Sequence, residues 1–261
     1  MFFRLVTVLA AAAVASTSCR ASPGEAELSV AQGPGRVRLD AVRAHSAQFD
    51  EDDPGRAAGS QGEGIAATYI LGHLQRAGYE VYLQPVPVSN LVSSTNVVAL
   101  PSGGPEVRAV VVVPYDTAPG ARDTSPALGL FLEVARALEA RDEGGEVEFA
   151  ALGAERAEVS GGRLGSRRLA QFMRDRDQHP VVVSLEDIAL GRGRRAAVAR
   201  GAARGQLVRV ARARGAPLRA EASTTPTIEV FQAAGFRSVA LSGPASIAGE
   251  VLLEYLAEGV P

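Results

Sequence analysis

Lysine is absent: all 27 basic residues of this 261-residue chain are arginine. Alanine, glycine and arginine abound throughout, so the absence reads as the coding bias of a GC-rich genome rather than as a functional signal. Net charge is nearly absent too, and the formal value of −2 gives no global pull toward nucleic acid. A single cysteine, Cys19, excludes an intrachain disulfide. No internal repeat points to a solenoid or propeller. Histidine occurs only at His45, His73 and His179. What is present is a chain with 46% hydrophobic residues, long enough to bury one sizeable core.

The N-terminus reads as an export signal. Arg4 supplies a basic start, and Leu5 to Ala15 forms an apolar stretch too short to span a bilayer. Ala13-Val14-Ala15 suits ordinary signal peptidase, whereas Cys19 behind small residues resembles a bacterial lipoprotein site and is the candidate for lipidation. Residues 1–18 are therefore expected to be a signal peptide and 19–36, rich in Pro, Gly and Ser, a flexible tether. The folded domain is expected over 37–261. The expected location is the periplasm or outer membrane as a lipoprotein, or outside the cell.

Hydrophobic periodicity predicts helices near 37–49, 62–78, 127–140, 165–174, 228–234 and 247–256, and one long Arg-dotted helix over 195–215. Strands are expected at 79–85, 94–100, 107–113, 147–152, 181–185 and 238–241. The runs Val110 to Val113 and Phe149 to Leu152 are apolar on every residue, the mark of strands covered on both faces. Strands alternating with helices imply an α/β fold, a three-layer α/β/α sandwich around a mixed, largely parallel sheet.

Four short segments carry chemistry: Pro114-Tyr115-Asp116-Thr117, Pro119-Gly120-Ala121-Arg122-Asp123, Gly153-Ala154-Glu155-Arg156 and Leu185-Glu186. In this order they resemble the ligand-bearing loops of the co-catalytic zinc aminopeptidases, metallopeptidase family twenty-eight. Weaker matches extend the likeness over about 37–257, among them Thr95-Asn96-Val97-Val98-Ala99 and Gly165-Ser166-Arg167-Arg168. The resemblance implies a zinc-exopeptidase fold, and in the active family two zinc ions that activate a water for peptide hydrolysis. It makes Asp123 the bridging metal ligand, Glu155 the general base, Glu186 a terminal ligand and Asp116 the carboxylate that orients the first His.

Three ligands do not carry over. Pro114 replaces a His and has no side-chain donor, Arg156 replaces a Glu with a permanent cation, and no His follows His179. The three histidines are expected in ordinary surface or capping roles. On this count of donors no cofactor is expected, since Asp123 and Glu186 provide no nitrogen for zinc. Arg156 is expected to pair with Asp123 or Glu186 in place of the ions.

The function expected is that of a non-catalytic, exported aminopeptidase-like protein with a peptide or another envelope protein as partner. The alternative is a metal-dependent hydrolase acting on peptide N-termini through an altered site. Nine arginines and no acid between Arg192 and Arg219 read as a solvated helix face, or as a contact for an anionic membrane surface. No aromatic residue lies among those arginines to stack bases, so nucleic acid is not an expected partner.

Overall fold

A computed structural model describes residues 35–51, 55–101, 106–118, 123–157, 161–191 and 196–258, all within one compact unit. The expected leader, Cys19 and nearly all of the tether lie outside the described residues, as do residues 119–122. No helix among the described residues is long and apolar enough to cross a membrane.

The chain runs α1 (Leu39–Glu51), α2 (Gln61–Ala77), β1 (Glu80–Pro87), β2 (Ser93–Leu100), β3 (Ala109–Pro114), α3 (Ser125–Glu139), β4 (Val147–Leu152), α4 (Leu164–Asp175) and β5 (Val181–Ala189). It continues through β6 (Ala197–Arg200), α5 (Arg204–Ala213), β7 (Leu218–Glu221), α6 (Pro226–Ala233), β8 (Ser238–Pro244) and α7 (Ala245–Ala257). The strands form one sheet in the order β1-β2-β4-β3-β5-β8-β6-β7. Its centre, β4-β3-β5-β8, is parallel; β1, β2 and the β6–β8 pairing are antiparallel. This is the mixed α/β sheet expected from the alternation of elements.

Residue parity explains the all-apolar strands. On β3, Val111 and Val113 pack into a core with α1, α2, α3, α5 and α7, while Val110 and Val112 face the opposite core under α4 and α6. A strand buried on both faces has no polar side, so its sequence loses the alternation of a half-exposed one.

Two sequence expectations fail. The helix predicted over 195–215 is instead β6, a turn and α5. Gly201, at φ +105°, sits in that turn and packs against the backbone of Ser238 and Val239, which a side chain would obstruct. Strand β7 is four residues long and mostly exposed at the sheet edge, so it carries no buried pattern to detect. The histidines are not all at the surface either. His45 and His73 stack edge to face with ring centroids 4.6 Å apart, and His45 Nδ1 lies 2.7 Å from the Tyr69 hydroxyl. Burial, then the guanidiniums of Arg38 and Arg136, lower His45 to a pKa of about 4. His179 is exposed, as expected.

One buried cation ties the elements that surround the carboxyl ends of the strands. Arg56 is 2% exposed. Its Nε donates to the Tyr115 carbonyl at 2.9 Å and its Nη1 to the Phe49 carbonyl at 2.8 Å. Its Nη2 reaches the hydroxyls of Thr124 and Ser125 at 3.3 and 3.4 Å, where α3 begins. Replacing Arg56 by Met leaves buried carbonyls without donors, so R56M is expected to lose about 3 kcal/mol. Urea denaturation checks this, with R56K expected to recover only part of the loss because an ammonium cannot reproduce the fork.

Candidate functional site

The carboxyl ends of β4, β3 and β5 lie side by side where the order of strands reverses about β3, the place at which open α/β sheets collect ligands. Each strand delivers one acid. Past β3, Tyr115 N–H continues the ladder to the Leu152 carbonyl at 3.0 Å, and Asp116 follows it. Asp116 is fully buried, and its Oδ2 accepts the Arg156 backbone N–H at 2.8 Å. Its Oδ1 has no hydrogen-bond partner among the described residues. Burial raises the Asp116 pKa to about 7; the Arg156 N–H opposes this, and the neighbouring Glu155 and Glu63 add to it.

Past β4 the chain turns sharply. Ala154 and Arg163 both take left-handed backbone angles, at φ 52° and 60°, a conformation costly for a residue with a Cβ. The strain is held by local bonds: Arg163 N–H to the Glu155 carbonyl at 3.0 Å and Leu164 N–H to the Ala154 carbonyl at 3.1 Å. The turn aims Glu155 inward, fully buried, with Oε1 accepting the Ser166 N–H at 2.5 Å in the first turn of α4. Its Oε2 has no hydrogen-bond partner among the described residues. Burial raises the Glu155 pKa, while the Ser166 donors and the Arg163 charge oppose the rise.

On β5 a register irregularity between Leu185 and Ile188 spans Glu186 and Asp187, and Asp187 has φ 49°. Such a bulge re-aims the side chain it carries. Glu186 Oε1 accepts the Ser184 hydroxyl at 2.9 Å and the Thr225 hydroxyl at 2.7 Å. Burial raises its pKa, against those two hydroxyls and the Arg163 charge.

The remaining sites fall as follows. Pro114 ends β3 opposite Leu152 and contributes no donor. Arg156 is tied to the cluster through its backbone N–H, and Arg163 brings a positive charge to Glu155 and Glu186. Asp123 is exposed, and its Oδ1 accepts the Ser125 N–H at 2.7 Å at the start of α3. Thr124 occupies the N-cap position of that helix, but its side chain makes no capping bond.

Glu63 is a member of this buried cluster that the sequence reading missed. It accepts the Ser94 hydroxyl and, at 2.6 Å, the Gly59 N–H, while Ser60 Oγ accepts the Glu63 N–H at 3.1 Å. The signal was available in Ser60-Gln61-Gly62-Glu63, a Ser followed three residues later by Glu at a helix start.

A family model described as Peptidase family M28 matches residues 96–237, more than half of the chain. The chain belongs to peptidase family M28. Similar solved structures share its fold. A leucine aminopeptidase precursor from Bacteroides thetaiotaomicron superposes with a TM-score of 0.71 at 13% identity, over 85% of this chain and 97% of that one. A glutaminyl cyclase from Porphyromonas gingivalis gives 0.70 at 16%, over 85% and 98%. A Zn-dependent exopeptidase from Parabacteroides distasonis gives 0.67 at 13%, over 85% and 98%. No curated protein matches the sequence significantly.

The expectation of no cofactor is corrected by these findings, because an M28 family match and a Zn-dependent neighbour of the same fold point to zinc. That expectation set the remaining carboxylates aside for want of a nitrogen, yet carboxylate oxygens are zinc donors in their own right. The described residues nevertheless do not complete a site for that ion: no group of three His, Cys, Asp or Glu among them is placed to hold a metal. No step is therefore derived through it.

The raised Asp116 pKa makes a pH prediction. A carboxyl whose folded pKa lies above its unfolded value of about 3.9 stabilises fully below that value and loses its contribution as pH rises toward the folded one. D116N should keep the bond to the Arg156 N–H without titrating. The unfolding free energy of the native protein minus that of D116N is thus expected to fall between pH 4 and 7 and then level off. A difference that does not vary with pH would mean that Asp116 is charged throughout.

Proposed function

We propose that this M28 member is an exported, non-catalytic protein that binds peptide in place of hydrolysing it. The observation that carries this reading is how the acids of the family's loops are held. Glu155, the carboxylate expected to act as general base, is fully buried and bound to the Ser166 N–H. Asp116 is buried on the Arg156 N–H, and Glu186 is held by two hydroxyls. A general base must reach the proton it removes, and a carboxyl walled off by burial does so poorly. Pro114 and Arg156 further remove two donors where the resemblance places ligands, which supports a degenerate site.

A second reading, a zinc-dependent hydrolase with an altered ligand set, is favoured by two oxygens. Asp116 Oδ1 and Glu155 Oε2 are buried with no hydrogen-bond partner among the described residues, and each can accept a cation or a proton.

Assays with aminoacyl anilides and with N-terminal glutaminyl peptides, run with added zinc, separate the two. The expected outcome is no turnover above background. Zinc-dependent turnover that E155Q abolishes would establish the hydrolase instead. Export has its own test: the mature protein should fractionate with membranes through an acylated Cys19, and C19S should shift it to the soluble fraction.

A further inference from the structure

A second buried acid of β4 lies near the strand's amino end, away from the carboxylate cluster. Glu148 follows Val147, the first residue of the strand, and is fully buried. It shares parity with Ala150 and Leu152 and pairs with Val110 of β3, so it points into the apolar core under α4. Neither of its carboxylate oxygens has a hydrogen-bond partner among the described residues, nor does the buried hydroxyl of Tyr82 on β1. An ionised carboxylate without partners is among the most costly groups a core can hold. Burial accordingly raises the Glu148 pKa to about 7, and the charge of Arg176 opposes the rise.

The last turn of α4 closes this corner of the core. Phe172 meets the Tyr82 ring with centroids 5.6 Å apart and carries the Arg176 guanidinium 4.8 Å from its own centroid. Met173 is fully buried in the same core. Beyond the helix the Arg176 and Gln178 N–H groups both donate to the Met173 carbonyl, at 3.2 and 3.0 Å, and Asp177 takes a left-handed φ of 52°. Burial and then Glu148 raise the Tyr82 pKa, against Arg176 and Arg168, so Tyr82 and these two arginines are the titratable and charged groups around the acid. Residues 102–105, which join β2 to β3, contain no titratable side chain.

We propose that the C-terminal turn of α4 is a pH-responsive flap, seated on the sheet while Glu148 is neutral and released when Glu148 ionises. The proton leaves to solvent and the carboxylate gains water as the turn lifts. Arg176 is exposed and already acts on Glu148, so it is the cation placed to follow the carboxylate. The folded pKa of Glu148 lies above the unfolded value of about 4.3, so seating is strongest below that value and weakens as pH rises to about 7. The first turn of the same helix donates to Glu155, so α4 rests at each end on a buried glutamate. None of this depends on whether the protein hydrolyses peptide.

Hydrogen exchange of the full chain, read by mass spectrometry on peptides covering residues 169–178, tests this. After correction for the intrinsic pH dependence of exchange, protection of these amides is expected to fall at least about tenfold between pH 5 and 7 and then to level off. E148Q should show no such fall. D116N should keep it, which separates Glu148 from the acid at the other end of the sheet. R176A removes the opposing charge at an exposed position and should move the levelling-off to higher pH. Wild-type protection that does not vary with pH, the same fall in E148Q, or a fall lost in D116N and kept in E148Q would overturn the proposal. So would an R176A profile that superimposes on the wild-type one, a readout that holds even if E148Q does not fold.

Discussion

Carboxylates without water are the constraint around which the upper end of this protein is organised. Asp116, Glu155 and Glu63 are buried within one neighbourhood, and the two glutamates disfavour ionisation of Asp116. Bare burial of charges at that range would cost several kcal/mol per ion, so the site survives by raised pKa values and by protein donors aimed at the oxygens. Those donors are backbone N–H groups of Arg156, Ser166 and Gly59 and hydroxyls of Ser94, Ser184 and Thr225. The costly left-handed angles at Ala154 and Arg163 persist because the turn they form puts Glu155 on the first turn of α4, where a helix N-terminus favours negative charge.

The rest of the fold supports that end at several points. Arg56 joins α1, the residue after β3 and the start of α3 through one guanidinium. Asn96 does the same on the other side, donating to Gln84 Oε1 and the Gly165 carbonyl and accepting from Gly153 N–H. Gly153 and Gly165 approach so closely that a Cβ on either would strike backbone, which holds the β4 loop against α4. Both clamps are polar and buried, and they act on loops rather than on the sheet. A protein can therefore lose the chemistry of its loops while these clamps keep their shape.

The likeness to M28 relatives lies in the sheet and its loops, and this chain departs from the resemblance at single side chains. Pro114 is as comfortable at the end of β3 as any residue that needs no further ladder bond. Arg163 brings a permanent positive charge beside Glu155 and Glu186 from the head of α4.

The order of elements, the mixed α/β sheet and the placement of Asp116, Glu155 and Glu186 at neighbouring strand ends were legible from residue patterns, because apolar strands and capped helices are local signals. The interior strand β6 and the edge strand β7 were not, since four-residue strands take their identity from a neighbour's unpaired backbone rather than from their own residues. The buried pairing of His45 with His73 was equally invisible, for it needs two helices brought together. The sequence alone determined which acids exist and which donors are missing. Only the tertiary structure decided that Arg163 brings a charge to the acids, that Glu63 joins them and that Asp123 serves the start of α3, because those facts depend on how the loops at the strand ends come together.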